Sequence, residues 1–87
     1  MAVTVELTYE MSKALGTSRF QLDDAARVED VVRLTRERFG ASGEVFEKLS
    51  QRAAVAVNGV LASYRRGMKT ALVDGDVVTF VKAAAGG

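Results

Sequence analysis

The chain has 87 residues, 48% of them hydrophobic and 26% charged, an ordinary globular composition that suits one domain with a single core. Twelve basic against eleven acidic side chains leave a formal charge of +1, too little for the clustered cationic affinity that binds nucleic acid. Cysteine and histidine are both absent, which excludes a disulfide framework, a thiol nucleophile, a thiolate metal site and an imidazole base.

The first residues hold no charged start ahead of an apolar run, and no stretch approaches the roughly 20 apolar residues of a membrane span. The expectation is therefore a soluble cytoplasmic domain. In VTVELTYE, Val3, Val5, Leu7 and Tyr9 alternate with Thr4, Glu6, Thr8 and Glu10, the period of a half-buried strand. MSKALGT interrupts it, with Gly16 available for a turn, and SRFQL resumes as a short second strand, so an N-terminal hairpin is expected. After Asp23-Asp24 the period changes. Val28, Val31, Val32, Thr35 and Phe39 fall at i, i+3, i+4, i+7 and i+11, one face of a helix turned to a core. Arg33, Arg36 and Arg38, interleaved with Glu29, Asp30 and Glu37, read as its solvated face. Gly40 stands where a left-handed C-terminal cap belongs. SGEVFEKL predicts a shorter helical piece anchored by Val45, Phe46 and Leu49. AAVAVNGVLA then reads as a strand, an Asn-Gly turn of type I′ and a short return strand. LVDGDVVTFV gives an Asp-Gly turn and a last strand, with Val78 and Phe80 on one face and Val77, Thr79 and Val81 on the other.

This order calls for an α+β domain in which one main amphipathic helix buries its stripe against one face of a mixed sheet. That is the arrangement of a ubiquitin-like β-grasp. The domain is expected over residues 1–81, with a flexible tail, 82–87, ending in Gly-Gly. Fold analogy makes the first and last strands central neighbours.

Read together, KALG after the first strand, the VAVNGV hairpin, the Gly75-Asp76 turn of LVDGDVVTF and the closing GG resemble the ubiquitin-like sulfur carriers (MoaD/ThiS-like). This group contains the small subunit of molybdopterin synthase and the thiamine sulfur carrier. The resemblance implies that the carboxylate of Gly87 is adenylated and converted to a thiocarboxylate. A carboxylate is a poor electrophile and its acyl-adenylate a good one, so an ATP-dependent activating enzyme is implied as a partner. A sulfur donor such as a persulfide enzyme and a sulfur-accepting synthase subunit complete the set. The carrier itself would be no enzyme and would bind no cofactor or metal, the ATP being used by the activating enzyme.

Six residues, Lys82, Ala83, Ala84, Ala85, Gly86 and Gly87, reach about 20 Å when extended, enough to thread into a partner's active site. Two glycines leave room for that partner to close on the backbone. Val81 corresponds to the position that packs on the partner in this family. The tail carries none of the prolines found in many molybdopterin-type carriers, so it is expected to be less stiff. Lys82 meets either an acidic rim or only solvent. Asp74 and Asp76, flanking Gly75, read as turn formers, because the oxygen ligands and closing glutamate of a calcium loop are missing. Arg65, Arg66 and Lys69 form the densest basic cluster, a solvated loop or else a dock for an acidic surface.

The acceptor expected first is a molybdopterin precursor. A cysteine precursor, a thiamine thiazole, a tRNA base and a secondary metabolite are the alternatives. A ubiquitin-like modifier joined to lysines through Gly87, or a binding module with an idle tail, is the competing class.

Overall fold

The computed structural model describes residues 2–83. In chain order these residues form β1 (Ala2–Glu6), α1 (Tyr9–Leu15), β2 (Arg19–Asp23), α2 (Val28–Phe39), α3 (Ala41–Ser50), β3 (Ala53–Val57), β4 (Val60–Leu61), two single 3-10 turns at Ala62–Tyr64 and Gly67–Lys69, and β5 (Val77–Lys82). The strands make one mixed sheet in the order β2-β1-β5-β3-β4. β1 and β5 run parallel at its centre, Thr4 beside Val77 and Glu6 beside Thr79, and the other pairs are antiparallel. This is the expected β-grasp.

Period-two alternation puts Val3 and Val5 of β1, Leu22 of β2, Val57 of β3 and Val78 and Phe80 of β5 on the face that the helices cover, all buried. Each such side chain contributes about 1.5–3 kcal/mol on leaving water. Val28, Val31 and Thr35 of α2 are buried against them.

Several expectations need correction. β1 stops at Glu6, and a helix replaces the turn: Tyr9, expected on the core face of the strand, is 75% exposed. Thr8 is the reason. Its hydroxyl accepts the Met11 N–H at 3.2 Å, and Gly16, at φ 77°, donates its N–H to the Ser12 carbonyl at 2.8 Å, so the segment is capped at both ends. Between the caps Met11 and Leu15 lie four apart on one edge, Met11 fully buried.

Nor does α2 cover the sheet alone. Phe46 of α3 meets Phe80 of β5 edge to face, centroids 5.3 Å apart, and Met11 of α1 joins the same core. Of the anchors expected in α3, Phe46 is buried and Leu49 packs on the core, but Val45 is 48% exposed. Gly43 permits the close crossing of α2 and α3, because a Cβ there would collide with the Arg36 carbonyl. Gly40 joins the two helices at φ 58°, ψ −123°. This is not the left-handed helical cap expected of it. The chain turns directly from α2 into α3, through a region open mainly to glycine.

The Asn58-Gly59 turn has φ 50° and 83°, the expected type I′ geometry. Asp74 and Asp76 act as turn formers. Asp74 Oδ1 accepts the Ala2 N–H at 2.7 Å, and Asp76 accepts from the Val73 N–H at 2.8 Å and the Asn58 amide at 2.9 Å. Together they tie the start of β1 to both turns. The α2 arginines are more engaged than a solvated face requires: Arg33 pairs with Asp30 at 3.3 Å, Arg36 with Glu47 of α3 at 3.7 Å, and Arg38 donates to the Gln21 carbonyl of β2 at 2.8 Å. At the start of α2, Asp30 accepts the N–H groups of Ala26 and Arg27, both at 3.0 Å. Burial acts to raise its pKa. The Arg27 N–H, the Arg33 guanidinium and the Ala26 N–H together outweigh that and hold it below the usual carboxylate value.

Candidate functional site

β5 is the strand that delivers the tail, and its neighbours hold it firmly. It is central, parallel to β1 on one side and antiparallel to β3 on the other. Its alternation is the one expected: Val78 and Phe80 are buried, and Val81, opposite Ala54, is 38% exposed. Thr79 shares the outer face with Val81, and its hydroxyl donates to Glu6 Oε1 at 3.0 Å. Glu6 in turn pairs with Arg19 at 3.5 Å. Opposite them β3 presents only Ala54 and Ala56, so the outer surface around Val81 is low and admits a close approach.

Lys82 is still a strand residue, paired with Ala53, and its side chain is exposed. Ala83 follows outside the strand and is exposed as well. The remaining expected tail residues, Ala84, Ala85, Gly86 and the modified Gly87, lie outside the described residues. The four residues beyond Ala83 could reach about 13 Å if fully extended.

A cleft of about 630 Å³ opens on the helix side of this tail root, lined among others by Tyr9, Met11, Leu49, Arg52, Phe80 and Lys82. No residue of it other than those of β5 and the tail was expected at the site. Its legible signal is the bracket of Thr8 and Gly16 around Met11 and Leu15. The basic cluster lies elsewhere, beside the start of α2, where Lys69 pairs with Glu29 at 3.2 Å. Among the described residues no group of three or more acidic side chains is placed to hold a metal ion, and no helix is long and apolar enough to cross a membrane.

Comparison with known proteins decides the family. The model of the ThiS family matches residues 5–87, which takes in the end of β1, the other four strands and the last residues through Gly87. The chain belongs to the ThiS family. No curated protein matched the sequence. Among solved structures, this ThiS-family chain is similar to the small archaeal modifier protein 1 of Methanosarcina acetivorans, at 25% identity and a TM-score of 0.80, with 99% of this chain and 96% of that one covered. It is also similar to the HVO 2177 protein of Haloferax volcanii, at 27% identity and a TM-score of 0.76, covering 100% and 87%. The complex of subunits 1 and 2 of the molybdopterin-converting factor from Helicobacter pylori shares the fold, at 21% identity, a TM-score of 0.67 and full coverage of both chains. The ThiS-family chain thus has the ubiquitin-like β-grasp fold of the MoaD/ThiS-like sulfur carriers.

Proposed function

We propose that this protein is a cytoplasmic sulfur carrier that works through Gly87. The observation that carries this reading is the family match itself, which runs through Gly86-Gly87. An ATP-dependent activating enzyme joins the Gly87 carboxylate to AMP, releasing pyrophosphate. Sulfide sulfur attacks the mixed anhydride and displaces AMP, leaving a thiocarboxylate. A persulfide enzyme supplies the same sulfur when a thiol takes up its other sulfur atom as a disulfide. A synthase subunit then accepts sulfur from the thiocarboxylate, and hydrolysis regenerates the carboxylate. Every catalytic group belongs to the partners, and the carrier contributes reach, small tail residues and the Val81 surface. As acceptor we favour a molybdopterin precursor, on the Gly75-Asp76 turn into β5. Cysteine, thiazole, tRNA and secondary-metabolite acceptors follow.

Similarity to an archaeal modifier protein favours one second reading, conjugation of Gly87 to lysine amines from the same adenylate. Intact-mass measurement after incubation with ATP, sulfide and lysate from the native cells separates the two. A gain equal to one oxygen-to-sulfur exchange, absent from a chain lacking Gly87, is the expected result. Lysine-linked adducts without that gain would give the second reading the case. Neither product, in the presence of a working activating enzyme, would remove Gly86-Gly87 as a functional site.

A further inference from the structure

The surface beside the tail root extends along α3. A second cleft of about 520 Å³ is lined by Val45, Lys48, Leu49, Gln51 and Arg52, and it shares Leu49 and Arg52 with the first. A spacing of four puts Val45 and Leu49 on one side of α3, with Lys48 in its last turn and Arg52 just past its end. The floor is apolar: Met11 and Phe80 are buried, Leu49 packs on the core, and Val45 and Tyr9 stand exposed at the margins. Lys48, Arg52 and Lys82 are not ion-paired among the described residues, although most α2 arginines are. Among the described residues lining the two clefts, Lys48, Arg52 and Lys82 stand against one carboxylate, Glu10, around an apolar trough.

We infer that this α3 face is a docking surface for an acidic segment bearing large apolar side chains, carried by the protein that handles the tail. Charge complementarity selects the acidic segment, and the trough takes its apolar side chains. Ala83 lines the same cleft, so a partner seated here lies at the tail's exit. This surface is on the helix side of the sheet and reaches Val81 at its rim, so a partner using it together with the outer sheet face would clasp the root of the tail. Only the partner's identity rests on the carrier reading.

The test is an amide-shift titration of the full chain by NMR with the peptide acetyl-EDFEDLE-amide, and with acetyl-KRFKKLK-amide for comparison. Shifts are expected at residues 9–11, 45–53 and 80–83 with the acidic peptide alone, fading as salt rises. The double variant K48E/R52E weakens binding at least about fivefold. R65E/R66E, with the same change of net charge at the other basic cluster, does not. Four outcomes overturn the inference: no shifts, shifts centred on the outer sheet face at Glu6, Ala54, Ala56 and Thr79, equal binding of the basic peptide, or equal weakening by R65E/R66E. Dispersed amide spectra of both variants verify folding.

Thiocarboxylate formation on the same samples is read separately. K48E/R52E is expected to slow it, and a wild-type rate would overturn the assignment to the tail-handling partner. A wild-type chain that is never thiolated sinks the carrier reading instead, and the peptide result still decides the surface.

Discussion

Single atoms decide several features. A Cβ at Gly43 meets backbone, the Arg36 carbonyl, which cannot rotate away. Gly43→Ala gains helix propensity of about 1 kcal/mol but forces α2 and α3 apart, and overpacking of this kind costs about 1–3 kcal/mol. Net destabilisation is expected in urea unfolding. A neutral or stabilised variant would show the crossing to be looser than described. Asp30 gives a pH test. Its folded pKa lies below the unfolded value, so its contribution is complete above the unfolded carboxylate range, about 4, and is lost as pH falls through the folded pKa. Asp30→Asn should lower stability by about 1 kcal/mol near neutrality. The gap to wild type should close on acidification below about pH 4. A gap independent of pH would mean that the charge contributes nothing.

At the level of elements, the short helix α1 depends on its caps, because seven residues nucleate poorly alone. Thr8→Ala removes the acceptor for the Met11 N–H and should cost about 1 kcal/mol. Hydrogen exchange should quicken at Met11 and Ser12 ahead of the β-sheet amides. Uniform quickening across the chain would instead make α1 part of the global unfolding unit. Helix α3 is tied to β5 by Phe46 on Phe80. Phe46→Ala should cost about 3–5 kcal/mol, a large share of the stability of a domain this size. A midpoint of thermal unfolding close to wild type would contradict that.

The whole molecule divides stability from function. The core lies between the helices and one face of the sheet, whereas Val81 lies on the other face and Gly87 at the chain's tip. Val81→Asp should therefore leave the thermal midpoint near wild type while slowing thiolation or adduct formation by about tenfold, the effect of losing one apolar interface anchor. Equal rates would place the partner on the helix side alone.

How much of this was legible follows from what each feature depends on. Strand β5, the Asn58-Gly59 turn, the helical stripe from Val28 to Phe39 and the tail's small residues are local patterns, with period, turn chemistry and steric demand carried by neighbouring residues. The sequence by itself therefore determined the β-grasp, the family resemblance and the strand that leads to Gly87. Helix α1 was hidden because Leu7 and Tyr9 continue the alternation of β1. Only burial of Met11 and capping by Thr8 turn that segment into a helix, and both require the core to exist. Val45 against Phe46, the Gly43 crossing and the cleft of Tyr9, Leu49 and Arg52 beside Lys82 likewise depend on residues distant in sequence meeting in space. Tertiary packing alone decided which apolar side chains were buried and which cations were left together at the tail's root.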